Sequence, residues 1–350
     1  MKGPHQSDSL SQRHSFSNPF PRLWFLTRPQ LLPYGCAHAH ELLPVKRIEM
    51  RQIFRPGLHL GEIYYPVRFD GAVMADAVAR ACVEGEYDGV EIADLPDRTV
   101  RLRIGETARA HNLRVAVWQA ERQQDTGWGM SSPDPSRRGA ALAELKKGLE
   151  TAAESGAGDV LYIGRLDPGS DVREESRRCL ADSLSELAEA AAAYSLRVVF
   201  EPLDRGVDQR GLIGRTADAA AMIEALGAAH PNLRLAWDTA HAALSGDDLE
   251  TALRRAYPLL AQIHLANVIV NPDHDDYGDH HRPLGPPGLL TQERITAIFR
   301  LLAELRQEDS PPPYLSFEVR TQPGGDPATT ERHTRQMRDA AWRMMSKDLE

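Results

Sequence analysis

The sequence predicts an α/β chain of the (β/α)8 class, a TIM barrel, and three observations support this prediction. Eight short apolar runs alternate with amphipathic helical patterns over roughly 300 residues, the size of one such barrel. The 350 residues are 42% hydrophobic and 26% charged, which is typical of a globular protein. No Gly-x-Gly-x-x-Gly motif follows any run, which argues against an open sheet that binds a dinucleotide.

Each predicted strand is a short β-branched or apolar run, and the segments between the runs show a helical period. Leu180, Leu184 and Leu187, for example, form one apolar stripe at helical spacing. Strands that alternate with helices favour parallel pairing, and eight such units fit a closed barrel better than an open sheet. The predicted strands are Ile53–Leu60, Gly89–Ala93, Arg114–Trp118, Val160–Ile163, Arg197–Phe200, Arg234–Trp237, Gln262–Leu265 and Tyr314–Val319.

The barrel domain is assigned to residues 50–346, and residues 1–49 differ from it in composition. Residues 1–45 are rich in Ser, Pro, His and Gln and show no helical or strand period. Pro21, Pro29 and Pro33 interrupt any apolar stretch of a signal peptide. We expect residues 1–49 to be a disordered extension, or to be absent from the cellular protein if translation starts at Met50.

The charge balance and the cysteine content indicate which partners and which cellular compartment to expect. The 41 Lys and Arg against 50 Asp and Glu give a net charge of −9, and no basic stripe is found, so we expect no nucleic-acid partner. Cys36, Cys82 and Cys179 form no Cys-x-x-Cys pair, which favours a reducing, cytoplasmic compartment. No apolar run approaches the ~18 residues that a membrane helix needs.

Polar side chains stand at the ends of the last four predicted strands. Glu201 ends RVVFE, Asp238 ends LRLAWD, His264 lies in QIHLAN, and Glu318 lies near the end of YLSFEV. In a barrel, the carboxyl ends of all strands meet at one rim, where the active site is built. Three crowded carboxylates are costly unless a cation neutralises them. One divalent ion is therefore expected, and this ligand set favours Mn²⁺, Mg²⁺ or Co²⁺ over a zinc site of the thiolate type.

The four segments VVFEP, LAWDTAH, IHLAN and YLSFEV, in that order, resemble the strands of the xylose-isomerase-like barrels. This superfamily contains sugar isomerases and epimerases such as the ketose 3-epimerases. The resemblance implies that Glu201, Asp238, His264 and Glu318 are metal ligands. It also implies that Glu201 and Glu318 flank the substrate as acid and base, and that His241 binds substrate or metal.

The segment 267–288, NVIVNPDHDDYGDHHRPLGPPG, is a long polar insertion after the seventh predicted strand. Structureless loops of this length are uncommon in compact domains, so we expect it to be functional. His281, or its neighbour His280, is a candidate general base with Asp279 as the residue that orients it. Substrate-binding roles are expected for His241 and Asp279, and also for Asn267 and Arg282.

This segment resembles two kinds of enzyme. The Asp-x-His pair is similar to the metal-binding loop of the zinc apurinic endonucleases. Those enzymes also need His ligands at earlier strand ends, where this chain has Asp94, Gln119 and Glu121. The tract YGDHHRPLG is similar to a loop of the C-glycoside deglycosidase catalytic subunits, which act on 3-oxo-glycosides by proton abstraction and elimination.

These observations predict a divalent-metal-dependent sugar isomerase or epimerase, which moves a proton next to a metal-chelated carbonyl. The alternative is a C-glycoside deglycosidase, a carbon–carbon lyase; a DNA-repair enzyme and a non-catalytic barrel are less favoured. The expected partners are a sugar or glycoside and further copies of the chain, or a small second subunit for a deglycosidase. Five further residues could contact a sugar but more often belong to the rim structure of a barrel: His59, Glu91, Trp118, Gln119 and Arg165.

Overall fold

A computed structural model describes residues 50–164 and 167–347, and it confirms the predicted barrel. The expectations for residues 1–49 and for Arg165 lie outside the described residues. The strands of the described chain are β1 (Arg55–His59), β2 (Gly89–Ala93), β3 (Arg114–Trp118), β4 (Ala157–Ile163), β5 (Arg197–Glu201), β6 (Leu233–Asp238), β7 (Leu260–Leu265), β8 (Asn267–Ile269), β9 (Gly278–Arg282) and β10 (Tyr314–Phe317).

Eight of these strands form the closed barrel, in the order β1, β2, β3, β4, β5, β6, β7, β10. Every pair is parallel, and β10 closes the barrel against β1 with Arg55 opposite Tyr314. The helices that connect the strands are α1 (Leu60–Ile63), α2 (Gly71–Glu84), α3 (Arg98–Ala110), α4 (Ala120–Asp125), α5 (Pro135–Glu154), α6 (Arg173–Ala192), α7 (Thr216–Gly227), α8 (Thr239–Leu244), α9 (Leu249–Ala256), α10 (Gln292–Leu305) and α11 (Pro327–Lys347).

Local sequence explains where several of these helices begin. The carboxylates of Asp70, Asp97, Asp134 and Asp248 each accept backbone N–H groups of the first turn that follows them. Such caps satisfy donors that have no partner within the helix. The buried face of each helix then packs on the outside of the barrel. Within the described residues, no helix is both long and apolar enough to cross a membrane.

Side chains alternate along each strand, so a barrel strand places every second residue inside. On β5, Arg197, Val199 and Glu201 share one face. Val199 packs with Ala116 and Leu161 in an apolar cluster separate from the main core between strands and helices. This small cluster separates polar groups at the amino-terminal end of the barrel from those at the carboxyl rim.

The segment after β7 is not a structureless insertion, because β8 and β9 form a two-stranded antiparallel sheet within it. The sequence GDHHR of β9 has no apolar alternation, and its polarity conceals the strand. Gly278 permits the pairing, since its φ is +120° and a Cβ there would lie 2.2 Å from Asp208 Oδ2. The hairpin lies over the carboxyl rim, where Arg320 N donates to His281 O.

Candidate active site

Four strand ends bring Glu201, Asp238, His264 and Glu318 together at the carboxyl rim. Glu201 ends β5, Asp238 ends β6, His264 lies in β7, and Glu318 follows β10. All four residues are buried, and each offers one ligand atom within 4.8 Å of the others. The structure therefore brings the four residues that the sequence singles out to one point.

His264 is surrounded by three carboxylates. Its Nδ1 lies 2.8 Å from Glu201 Oε1 and 3.5 Å from Glu318 Oε2. Its Nε2 lies 3.1 Å from Glu91 Oε2, and Trp118 Nε1 donates to the same oxygen over 3.2 Å. A proton held at Nε2 by Glu91 leaves the Nδ1 lone pair for an ion, a common arrangement for a histidine ligand. Glu91 is therefore a positioning residue. Its position within the otherwise apolar strand sequence GVEIA is the feature of the sequence that marks it.

The three carboxylates of this cluster disfavour one another's charges. Burial, together with the carboxylates of Glu201 and Asp279, raises the pKa of Asp238 to about 6 against the opposing effect of His241. Burial also raises the pKa of Glu318 well above its ordinary value, and Glu201 and Asp238 act in the same direction. The neighbouring histidines therefore do not fully offset burial and the repulsion between these acids.

The residues present fit a divalent metal ion. Asp238 Oδ1 accepts the backbone N–H of His241 over 2.8 Å, whereas the buried Oδ2 has no hydrogen-bond partner among the described residues. Buried carboxylate oxygens are otherwise nearly always paired. Three carboxylates and one imidazole form a hard to borderline donor set, which suits Mn²⁺, Mg²⁺ or Co²⁺.

The β8–β9 hairpin adds Asp279 and His281 to the site. His281 Nδ1 lies 3.3 Å from Glu318 Oε1, and its Nε2 lies 3.7 Å from Asp279 Oδ2. Burial alone would lower the pKa of His281, but Asp279, Glu62 and Glu318 raise it to about 9. The neighbouring His280 is exposed on the other face of β9, so His281 is the histidine of this pair that reaches the site.

His241 lies in α8, three residues after Asp238, and is placed between the carboxylates of Asp204 and Asp279. Its Nδ1 is 3.7 Å from Asp204 Oδ2, and its Nε2 is 3.9 Å from Asp279 Oδ2. Burial would lower the pKa of His241, but these acids raise it well above its ordinary value. Sequence reasoning missed Asp204, which is fully buried and accepts the N–H groups of Val207 and Asp208. It thereby fixes the loop after β5 against the site.

Five of these residues, Glu201, Glu318, His241, Asp279 and His281, line a cavity of about 220 Å³ at the carboxyl rim. The lining also includes aromatic and cationic side chains, among them Tyr65, Trp118, Trp128, Arg68 and Arg320.

Each cavity arginine already has a carboxylate partner. Arg320 Nε lies 2.7 Å from Glu62 Oε2, and Arg68 NH2 lies 3.1 Å from Glu121 Oε1. Both guanidinium groups also lie over the ring of Tyr65, at 3.5 Å and 4.0 Å from its centroid. Sequence reasoning missed Arg320, Arg68 and Glu62 because they follow β10 and β1 in segments without a recognisable motif.

Two expected substrate-binding residues do not reach the cavity. Asn267 is buried, its Nδ2 donates to Pro283 O over 2.6 Å, and its Oδ1 accepts the N–H of Leu290 over 2.8 Å. Its amide thus holds the base of the hairpin. Arg282 pairs with Asp276 and does not line the cavity. A polar residue after a strand can equally face the loop it begins, and the structure places both side chains in contact with the hairpin segment.

Comparison with known proteins agrees with this architecture. No curated protein matches the chain significantly. Among solved structures, the 3-keto-D-glucoside 4-epimerase from E. coli is 23% identical, with 75% of this chain and 92% of that chain covered and a TM-score of 0.55. An L-ribulose 3-epimerase is 18% identical, with 85% and 97% covered and a TM-score of 0.63. The IOLI protein, solved with a bound zinc atom, is 15% identical, with 84% and 99% covered and a TM-score of 0.58.

These likenesses show the fold, and the structural neighbours named here include sugar epimerases. The sequence profile of the xylose isomerase-like TIM barrel family matches residues 79–340. Since this match spans well over half of the 350 residues, the chain belongs to the xylose isomerase-like TIM barrel family.

Proposed function

We propose that this protein is a divalent-metal-dependent sugar isomerase or epimerase that moves a proton at a carbon next to a carbonyl group. One observation carries the proposal. Glu201, Asp238, His264 and Glu318 each offer a ligand atom within 4.8 Å of the others, beside a cavity lined by polar and aromatic side chains. Fold neighbours named as a 3-keto-D-glucoside 4-epimerase and an L-ribulose 3-epimerase support it, as both names describe inversion at a sugar carbon.

Glu201, Asp238, His264 and Glu318 would hold the ion. When bound, a divalent ion supplies a Lewis acid that polarises a carbonyl and so acidifies the neighbouring C–H bond. The bound zinc of the IOLI protein supports a metal in a barrel of this fold, and Zn²⁺ joins the ions to be tested.

Glu201 and Glu318 are the candidate acid and base. Both line the cavity, and they come from β5 and from the end of β10, with β6 and β7 between them in the barrel. Epimerisation requires one group to take the proton from carbon and another to return a proton to the opposite face. Two carboxylates on separated strands could meet this requirement.

The rest of the cavity suits a neutral polyhydroxylated ligand. Trp118 and Trp128 contribute aromatic surface to the lining, on which the C–H surface of a sugar ring can pack. The two guanidinium groups of the lining are already paired with Glu62 and Glu121, so they leave little positive charge for a phosphate. A free ketose or an uncharged keto-glycoside is therefore the proposed substrate class.

A second candidate is elimination from a 3-oxo-glycoside, and the placement of His281 favours it. The ring lies in the cavity beside Glu318 and Asp279, although its backbone has the unusual φ of +46°. Elimination needs one base and one acid for the leaving group, and a histidine between two acids suits either role.

Deuterium exchange separates the two candidates. The protein, loaded with Mn²⁺, is incubated in D2O with D-fructose, D-tagatose or D-psicose, and separately with a 3-oxo C-glycoside. An epimerase should incorporate deuterium at the carbon that it inverts, and Glu201→Gln should cost about 10²–10⁴-fold in kcat. His281→Ala should cost less than Glu201→Gln, because the glutamates move the proton.

A deglycosidase should instead ignore the ketoses and release the aglycone, and His281→Ala should then be as severe as Glu201→Gln. His280→Ala is the matched control, since His280 is exposed on the same strand. Full activity in metal-free protein, or no deuterium incorporation and no aglycone release with any of these compounds, would contradict both candidates.

A further inference from the structure

His59, at the carboxyl end of β1, has a buried ring nitrogen that nothing in the described chain pairs with. The residue is only 4% exposed and it lines the cavity. Its Nε2 has no hydrogen-bond partner among the described residues. Buried polar atoms are nearly always satisfied, so an orphaned one beside a cavity calls for an explanation.

The other ring nitrogen fixes the tautomer. The backbone N–H of Glu62, in the short helix α1, donates to His59 Nδ1 over 3.2 Å. A nitrogen that accepts a hydrogen bond carries no proton, so the neutral ring must carry its proton at Nε2. Nε2 is therefore a donor: it has no lone pair with which to bind a metal ion or to accept a proton from a substrate.

The ring is also held in place. Its centroid lies 5.5 Å from that of Trp118 and 5.8 Å from that of His264. Glu318 Oε1 is 4.0 Å from Nε2, which is too far for a hydrogen bond. The buried donor therefore lies beside Glu318 without a hydrogen bond to that carboxylate.

We infer that His59 is a substrate-binding residue that donates a hydrogen bond from Nε2 to an oxygen of the sugar lying beside Glu318. The identity of the ligand as a sugar rests on the proposed function, whereas the position of the proton at Nε2 does not. The inference adds a specificity-determining contact: a sugar needs an acceptor oxygen at this place, and His59 holds it without exchanging a proton with it.

Two substitutions separate the two ring nitrogens. His59→Asn keeps an acceptor near the Nδ1 position for the Glu62 N–H but has no donor near Nε2. His59→Gln places an amide nitrogen near Nε2 but gives up the cap of α1. On a ketose that the wild type converts, we expect His59→Asn to lose roughly 5–150-fold in kcat/KM, the effect of one buried donor contact, with little change in Tm.

His59→Gln should retain more kcat/KM than His59→Asn and lose more Tm, with an unchanged pH profile. Asp70→Ala provides the control for cap loss, since Asp70 caps α2 through Ala72 and Val73 and does not line the cavity. Deoxyketoses, each lacking one hydroxyl group, identify the acceptor oxygen. On the deoxyketose that lacks it, His59→Asn and the wild type should have the same kcat/KM.

The tautomer is measured without any substrate. In protein labelled with ¹⁵N-histidine and loaded with Mg²⁺, long-range ¹H–¹⁵N spectra should show His59 protonated at Nε2 alone, assigned by its loss in His59→Asn. A ring protonated at Nδ1 would overturn the inference, and so would unchanged kinetics in His59→Asn. Losses of kcat/KM that are equal in the two variants and parallel their losses of Tm would overturn it as well.

An inactive wild type would count against the proposed function and not against the fixed donor. In that case each ketose and the 3-oxo C-glycoside is added to the labelled protein. A shift of the His59 Nε2 resonance with one of them supports the contact, and no shift with any of them overturns it.

Discussion

Buried carboxylates lie inside both ends of the barrel, but their surroundings are opposite. At the amino-terminal end, Asp159 on β4 is fully buried and lies between two arginines. Arg197 donates to it over 2.6 and 2.9 Å, and Arg114 over 2.8 and 2.9 Å. Burial would raise the pKa of Asp159, but these two arginines lower it below its ordinary value. Both oxygens are satisfied, and the charge is compensated.

At the carboxyl end, the carboxyl groups of Asp238 and Glu318 are also buried, but their closest basic neighbours among the described residues are histidines and not paired arginines. Their pKa values are raised, and Asp238 Oδ2 has no partner among the described residues. The same strands supply both ends: β5 contributes Arg197 to one end and Glu201 to the other. Since four residues of a strand span about 13 Å, the two charge sets are well separated. This difference is the one expected if the amino-terminal end contributes to stability and the carboxyl end holds the proposed ion.

The largest expected effect is at the uncompensated end. Glu318→Gln removes a charged ligand at nearly constant shape, so purified protein should lose its roughly one equivalent of divalent ion per chain, and activity should fall at least about a hundredfold. Metal content by mass spectrometry and kcat/KM measure this. The metal-free variant should be no less stable than the metal-free wild type, because Gln is uncharged, as is the protonated acid that the raised pKa of Glu318 favours.

Glu62→Gln is the matched control, since Glu62 lines the same cavity but pairs with Arg320. This variant should keep its ion. Retention of tight metal binding by Glu318→Gln would contradict the assignment of the carboxyl end to an ion.

The next largest effect is at the compensated end. Asp159→Asn leaves the guanidinium groups of Arg114 and Arg197 beside one another without their carboxylate. Since these groups are only about one-third exposed, we expect a loss on the order of 3 kcal/mol in the free energy of unfolding. Urea unfolding measures it, while metal content and kcat/KM below the unfolding transition should stay unchanged.

Asp76→Asn is the control, because Asp76 forms an ion pair with Arg103 in which both side chains are more than 60% exposed. It should leave stability nearly unchanged. An Asp159→Asn variant that loses its metal would show that the two ends are not independent.

The sequence predicted the carboxyl end better than the amino-terminal end, for a physical reason. Glu201, Asp238 and Glu318 each end an apolar run. Acidic residues are disfavoured in strands, so each of them stands out in the sequence as a candidate site residue. Asp159 follows a glycine at the start of β4, and the pair reads as a loop; the predicted strand therefore began at Val160. A Cβ at Gly158 would lie 2.0 Å from Arg114 Cζ, so a side chain there would displace the guanidinium that pairs with Asp159.

Contacts between distant segments could not be predicted from periodicity. Arg320 and Glu62 are 258 residues apart and meet only because β10 closes the barrel against β1. The His59 tautomer depends instead on a local contact with the backbone N–H of Glu62, which an apolar pattern does not indicate either. Asn267 shows the converse error: it resembled a site residue by its position after a strand, but its amide is used by the backbone of the hairpin.

The smallest expected effect is the pH dependence of stability, and its sign differs between the two ends. In metal-free protein the pKa of Asp238 is raised to about 6, so the native state binds a proton that the unfolded state releases near pH 4. Stability from this end should therefore fall as pH rises from about 4 to 6, by on the order of 2 kcal/mol. The lowered pKa of Asp159 has the opposite consequence, because its contribution is present above about pH 4 and is lost only as pH falls further.

Urea midpoints of chelator-treated protein between pH 4.5 and 7.5 test this, with Asp238→Asn as the control that should flatten the slope. Excess Mn²⁺ should reverse the slope, since the ion binds the deprotonated carboxylates and stabilises the native state by about 2.7 kcal/mol at a hundredfold excess over Kd. A metal-free protein whose stability is the same at pH 4.5 and 7.5 would show that the carboxyl end finds compensation within the chain. An ion would then not be needed to explain its three buried acids.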